Sequence, residues 1–365
     1  MRSLDTFPEE IDGFVRMSRA AGERFDLIQA GGGNTSVKLA DGTMLIKASG
    51  FHLTDVGPGQ GYSRVDLDCV LGAPEDPEVR SAAGKREKDG AAARRLLDCI
   101  VDGGPRPSIE TFLHALLDRY TLHTHPLVVN AAACRNDWRE VLGAPAGDDA
   151  AFVPYGTPGL ELALRLKSAV DDHTRAKGRK PRILFLQNHG LITSGDDAAT
   201  VFAATERIVA SLEQSIGADL DQYKLTNRVS ALLNGCGGPP IVSYLSRDVE
   251  LTHMAKTRRQ LLFERPFCPD GLVYCGAAAV EIKGLDAREP IVRYREAYGE
   301  APRVVVFGDR IFFTGQNIRK TREAEEVFKF QVLALLHAGG TACSLSAEEL
   351  NYLGNWEAEQ YRRKL

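Results

Sequence analysis

The run Thr121-Leu122-His123-Thr124-His125-Pro126 sets two histidines one residue apart in an apolar stretch. On a strand, residues i and i+2 share a face. Both imidazoles then enter one environment, and burying them together costs free energy unless each finds a partner. A third histidine, His189, follows sixty-four residues after His125, in Leu186-Gln187-Asn188-His189-Gly190-Leu191. Two imidazoles from one strand and a third from a later strand end make a candidate zinc site with an open position. The plainer reading is three histidines satisfied by ordinary polar neighbours. His-x-His occurs in unrelated metal folds, so the pair alone names no reaction.

A chain of 365 residues exceeds one typical core and points to two domains. Net charge is −4 without a block of like charges, so the chain lacks the electrostatic footprint of a nucleic-acid binder. The longest apolar runs fall short of a membrane span, and the opening MRSLDTFPEEIDGF lacks the apolar core of a signal peptide. A cytoplasmic protein is expected. Seven cysteines, an odd number with no Cys-x-x-Cys spacing, read as free thiols in a reducing compartment.

Residues 8–24 have helical periodicity, with Ile11, Phe14, Val15 and Met17 on the apolar face. Two short runs, 37–39 and 44–47, flank Asp41-Gly42, a hairpin signal. Residues 84–93 read as a charged surface loop leading into a helix. Ser108 is placed to cap a helix over 109–118. A strand is expected at 121–125, and Pro126 suits the first position of a helix over 126–135. Further helices are expected at 159–177 and 197–216. Between them a strand, 182–186, turns at Asn188-His189-Gly190 into a returning strand, 191–193.

The glycine- and proline-rich segment 234–240 is the best candidate linker, dividing 1–233 from 241–365. In the second part, residues 304–315 and a helix over 318–338 copy the layout of 183–216. Gly315 lies 120 positions after Gly195, and the same offset sets Asp309 against His189. This reads either as a degenerate internal repeat without the ligand or as a common hairpin–helix plan met twice.

Glu110 sits in the first turn of the helix that feeds the histidine strand. Its carboxylate would either complement the helix dipole or act as a base beside a metal. His114, four residues on, shares its face. The turn Gly31-Gly32-Gly33-Asn34 can present backbone N–H groups to an anion. It does not match the dinucleotide-binding pattern, since no Gly-x-Gly-x-x-Gly opens a helix. Ser49, Gly50 and Ser108 add small polar groups at element ends.

In order, Gly-Gly-Gly-Asn-Thr-Ser (31–36), Lys-Ala-Ser-Gly (47–50), Pro-Ser-Ile-Glu-Thr-Phe-Leu-His (107–114), His-Thr-His-Pro (123–126), Tyr-Gly-Thr-Pro-Gly (155–159) and Asn-His-Gly-Leu-Ile-Thr-Ser-Gly (188–195) resemble the class II aldolase/adducin family. The resemblance covers roughly residues 10–220. Beyond 240, Arg-Pro-Phe-Cys-Pro-Asp (265–270) and Asn-Trp-Glu-Ala-Glu (355–359) resemble the aldolase half of bifunctional rhamnulose-phosphate aldolase/alcohol dehydrogenase proteins.

The resemblance implies a three-layer α/β/α sandwich around a largely antiparallel sheet, with a smaller α+β C-terminal region. It implies a homotetramer with sites at subunit interfaces. It implies Zn2+, or another divalent metal, on His123, His125 and His189, with Glu110 as the acid/base residue. It places Gly33, Asn34, Ser49, Gly50 and Ser108 around a phosphate. The implied reaction is retro-aldol cleavage of a ketose 1-phosphate to dihydroxyacetone phosphate and an aldehyde.

Two departures matter. Ile109 stands where sugar-phosphate aldolases of the family carry a second serine, which removes one phosphate hydroxyl. The family's catalytic tyrosine aligns with Phe152, with Tyr155 three positions on. A dehydratase, decarboxylase or epimerase acting on a sugar acid or sugar phosphate is the alternative. The non-enzymatic adducin heads lack the metal ligands, all three of which this chain keeps.

Overall fold

The structure, a computed structural model, describes residues 3–340 and 342–355. The chain divides into two compact units, Met1–Leu220 and Asp221–Leu365. The glycine–proline segment 234–240 therefore falls inside the second unit. The helix before it, Asp221–Asn234, buries Val229 and Leu233 in a cluster with Leu245 and Phe312, and so belongs with the strands that follow. Of the motif 355–359, all but Asn355 lies outside the described residues.

The first unit is built on seven strands: β1 (Asn34–Lys38), β2 (Thr43–Lys47), β3 (Tyr62–Asp66), β4 (Tyr120–Thr124), β5 (Ala150–Val153), β6 (Ile183–Leu186) and β7 (Gly190–Gly195). Their order is β3-β2-β1-β4-β7-β6-β5. Every neighbouring pair is antiparallel except β5 and β6, which run parallel. The sheet is thus mixed. The parallel pair arises because β5 returns to β6 through the long helix Leu160–Lys177, a crossover rather than a hairpin.

Met44, Ile46, Val65, Leu184, Leu186 and Ile192 pack in one cluster with Leu96, Phe112, Leu113, Leu162 and Leu166 from helices on one face. Helices Pro8–Gly22, Leu127–Ala133 and Ala198–Ile216 pack against β1, β4 and β7. Alternation along β2 and β6 serves two buried faces, so these strands carry almost continuous apolar runs.

Several sequence expectations are corrected. Residues 84–93 are not a loop: Lys85–Asp98 is helical, because Ala91, Ala92 and Leu96 bury one stripe while the charges remain outside. The helix expected over 109–118 is only Thr111–Ala115, and the residue at its N-cap position is Glu110 rather than Ser108. Ser108 instead closes a turn, its carbonyl accepting from Thr111 N and its Oγ from Glu110 N. At the other end Lys38 Nζ donates to the carbonyls of Ala115 and Leu117, which stops the helix. Pro126 precedes the helix Leu127–Ala133 instead of opening it.

The seven cysteines are not all free: Cys69 and Cys99 form a disulfide, with Cα atoms 5.5 Å apart. The pairing of Val65 with Ile100 and the bond from Asp66 N to Cys99 O bring these distant residues together. No helix among the described residues is long and apolar enough to cross a membrane.

The second unit has four strands: β8 (Val242–Leu245), β9 (Val280–Ile282), β10 (Val304–Phe307) and β11 (Arg310–Gly315). Their order is β8-β11-β10-β9, with β9 and β10 parallel and the other pairs antiparallel. Val304, Val306, Ile311 and Phe313 pack on one side with Leu251, Ala324 and Phe328. Val305 and Phe312 pack on the other with Val229, Ile291 and Tyr294. Helices therefore cover both faces.

This order and these directions match β4-β7-β6-β5 of the first unit. The turn residues correspond as well: Asn188 (φ +54°) and Gly308 (φ +60°), 120 positions apart, both take the left-handed conformation.

Candidate metal centre and acid–base site

β4 ends at Thr124, so His123 projects from the end of the strand and His125 from just beyond it. His125 is fixed there by its N–H donating to Leu27 O at 2.9 Å. The neighbouring segment is anchored in turn by Arg24 and Asp26, a fully buried pair at 2.5 Å. His189 stands in the β6–β7 turn. Asn188 makes that turn feasible, since asparagine tolerates the left-handed backbone better than most residues.

Gly190 is required by close approach. A Cβ there would lie 2.3 Å from Thr124 O and 3.1 Å from the His125 ring, so glycine lets β7 meet β4 beside the histidines. Gly32 plays the same part from the other side: its Cβ would meet His125 Nδ1 at 2.9 Å.

The three imidazoles converge. One nitrogen from each lies within 4.8 Å of the others, and the ring centroids are 4.9–5.3 Å apart. Glu110 reaches two of them, with Oε2 3.2 Å from His123 Nδ1 and Oε1 3.1 Å from His189 Nε2. Asn34 Nδ2 donates to Glu110 Oε2, and Asn34 is the cross-strand partner of His123.

Nε2 of His123, Nε2 of His125 and Nδ1 of His189 are buried without a hydrogen-bond partner. Each orphan costs about 1–3 kcal/mol. A cation among three neutral imidazoles removes that cost, and three nitrogens with room for further ligands is a donor set suited to zinc. The residues therefore fit the ion.

The electrostatics agree. Burial, followed by the neighbouring imidazoles of His123 and His189, pushes His125 down to about 3, so it is neutral with a lone pair at neutral pH. Burial would raise the Glu110 carboxyl, but the imidazoles of His123 and His189 overcome it and hold the group well below the usual carboxylate range. Glu110 is thus a buried, ionised carboxylate.

His114 is fully buried and pushed down to about 3, chiefly by burial. It contacts Ser36 Oγ through Nδ1 at 2.8 Å, which makes it a polar prop beneath Glu110.

The anion-binding residues divide. Gly33 (φ +70°) packs tightly: a Cβ would meet Ile28 at 2.3 Å and His123 O at 2.8 Å. Ser49 and Gly50 are exposed, and space beside Gly50 is open. Ser49 N donates to Arg106 O, and Ala48 pairs with Pro107, which sets this corner beside Ser108. Ser108 joins Glu110 through Glu110 N–H at 3.3 Å. Ile109 turns into the apolar cluster, against Gly159. Phe152 is held in an aromatic group with Phe185 and Trp138, while Tyr155 is half exposed.

Lys47, the first residue of the Lys-Ala-Ser-Gly motif, had no role assigned from sequence. It is buried, donating to Gly31 O and Phe51 O, and lowered by burial against the pull of Glu110 and Asp55. A lone cation closing the apolar run Met44–Ile46 was the available signal.

Residues 13–216 match the class II aldolase and adducin N-terminal domain. The chain belongs to this family. It is 27% identical over 230 residues to the uncharacterized oxidoreductase YuxG of Bacillus subtilis (strain 168). The match takes in 60% of this chain and 31% of that protein, so the chain spans less than a third of the curated relative's length.

Among solved structures, the N-terminal class II aldolase domain of a conserved protein from Thermoplasma acidophilum is 28% identical, with a TM-score of 0.47, covering 57% of this chain and 93% of that one. L-fuculose-1-phosphate aldolase from Thermus thermophilus is 18% identical, with a TM-score of 0.38, covering 59% of this chain and 98% of that one.

Proposed function

We propose that the first unit is a divalent-metal-dependent lyase that cleaves a ketose 1-phosphate of the rhamnulose or fuculose type into dihydroxyacetone phosphate and an aldehyde. The observation that carries this reading is Glu110, an ionised carboxylate 3.2 and 3.1 Å from His123 and His189, within a cluster of imidazoles bearing orphaned nitrogens. His123, His125 and His189 would hold a divalent cation, which would supply Lewis-acid polarisation of the substrate carbonyl when bound.

The residues of the chain do the remainder. In the cleavage direction a water molecule takes the proton of the C4 hydroxyl, the C3–C4 bond breaks to release the aldehyde, and its electron pair passes to the C2–C3 enediolate. Glu110, ionised at rest, takes up that proton from the water and delivers it to C3. Asn34 orients Glu110 through its amide. The corner formed by Ser49, Gly50 and Ser108 receives the phosphate, and Gly33 keeps the backbone close beneath the histidine strand.

A second reading is favoured by Ile109. It offers no hydroxyl and packs into the apolar cluster, so the anion corner is one group poorer than in the sugar-phosphate aldolases the chain resembles. A sugar acid fits such a corner, with dehydration, decarboxylation or epimerisation as the outcome.

The test is product analysis on metal-loaded and chelator-treated protein, across ketose 1-phosphates and sugar acids. Metal-dependent release of dihydroxyacetone phosphate supports the lyase. Equal activity after complete metal removal overturns the mechanism, and turnover of sugar acids alone selects the second reading.

A further inference from the structure

The second unit carries a cavity of 350 Å³ at the Val242–Gly315 end of its sheet, opposite the end where Arg247 and Asp309 stand. Three cations, Arg295, Arg303 and Lys320, face one carboxylate, Glu300, among its walls, and Ile241, Val273 and Tyr274 supply apolar surface. Two of the cations are accounted for. Arg303 donates to Val273 O and pairs with Glu300 at 3.2 Å, and Lys320 pairs with Glu323 at 3.1 Å.

Arg295 is different. Among the described residues its one acceptor is Leu233 O, at 3.4 Å, and its Nε is buried without a partner. Among the described residues no carboxylate pairs with it. A partly buried guanidinium without an anion is costly. The backbone is nevertheless shaped around it: a Cβ on Gly238 would stand 2.4 Å from Arg295 Nη1, and Gly238 holds φ +84°.

The corresponding end of the first unit sharpens the point. There a cavity beside Ser194 and Gly195 is walled by Asp149, Asp196 and Asp197 against Arg182 and Arg207. Asp197 caps a helix and Asp149 pairs with Arg179. The same place in a shared sheet path is walled by three carboxylates and two cations in one unit, and by three cations and one carboxylate in the other.

We propose that this second-unit cavity binds a small organic anion, a phosphate ester or carboxylate with a compact apolar body, its oxyanion on Arg295 with Lys320 beside it. The volume suits a small metabolite. The forked guanidinium matches either oxyanion in two-point contact. The apolar walls take the body of the ligand. This site is separate from the histidine centre and does not rest on the reaction assigned to it.

The test is calorimetric titration of the full chain with phenyl phosphate, benzoate and benzyl alcohol, which share one ring and differ in charge. At least one anion binds, and the neutral alcohol binds about tenfold more weakly or not at all. Arg295→Gln weakens the anion about tenfold or more. Lys320→Gln, a change to a near-isosteric side chain in the first turn of a long helix, weakens it in the same direction and guards against misfolding of the first variant. His123→Ala leaves it unchanged. Which of the two anions binds more tightly separates phosphate from carboxylate. Absence of binding by both anions, equal affinity for the alcohol, or an affinity untouched by both substitutions overturns the proposal.

Discussion

In the first unit β7 pairs Ile192 with His123; 120 positions later β11 pairs Phe312 with Leu245. The strand order, the lone parallel pair, the left-handed turn residue and the following long helix all correspond. What differs is chemistry. The second unit has Leu245 for His123, Arg247 for His125 and Asp309 for His189. Its Leu245 joins an apolar cluster, so this end of the sheet is filled rather than left as a polar basin. The sheet path therefore does not depend on the histidines. It rests on the apolar strands and hairpin turn, and the site is a set of side chains placed upon it.

The largest effect that would break this comparison is on metal content. His123→Ala or His189→Ala should take bound metal from about one ion per chain to near none, and lower turnover by about a thousandfold or more. Asp309→Ala should change neither. Elemental analysis and the product assay decide it; metal loss in Asp309→Ala would contradict the division of labour. Next is Glu110→Gln, which should keep the metal while lowering kcat by about 10²–10⁴. Loss of the metal instead would make Glu110 a ligand rather than the proton carrier.

A smaller effect sharpens the other side. Leu245→Ala should destabilise the second unit by about 2–3 kcal/mol in urea unfolding, because it empties a packed position. The metal content should not move.

The smallest, taken per pH unit, is in acid. An unfolded histidine takes its proton near 6.5, whereas folded His114 does so only near 3. The unfolded state therefore binds more protons between these values. Stability is full above pH 6.5 and falls as the pH drops, by about 1.4 kcal/mol per pH unit for this group. In metal-free protein, His114→Asn should flatten that slope in pH-dependent denaturation; an unchanged slope would place the acid sensitivity elsewhere.

Much of the site was legible because it lies on strongly patterned segments. The helix Pro8–Gly22, the hairpin β1–β2, the histidine strand and the helices Leu160–Lys177 and Ala198–Ile216 carry period, turn residues or caps that act locally. The turn holding His189 was legible from Asn188-His189-Gly190.

What escaped depended on tertiary partners. Strands β3 and β5 are short and take their identity from neighbours. Cys69 and Cys99 are joined through a strand–bridge contact that spacing does not reveal. The helix over Lys85–Asp98 hides its narrow apolar stripe beneath many charges. The helix at Glu110 was read too long because Lys38, on a distant strand, ends it. The bond from Asn34 to Glu110 spans 76 residues and belongs to no local pattern.

Anomalous diffraction at the zinc absorption edge from crystals of the metal-loaded chain tests the central claim most directly. One strong peak bonded by nitrogens of His123, His125 and His189, with none beside Leu245, Arg247 and Asp309, is the expected result. A saturated protein with no peak among the three imidazoles, or with its ion held elsewhere, would contradict it.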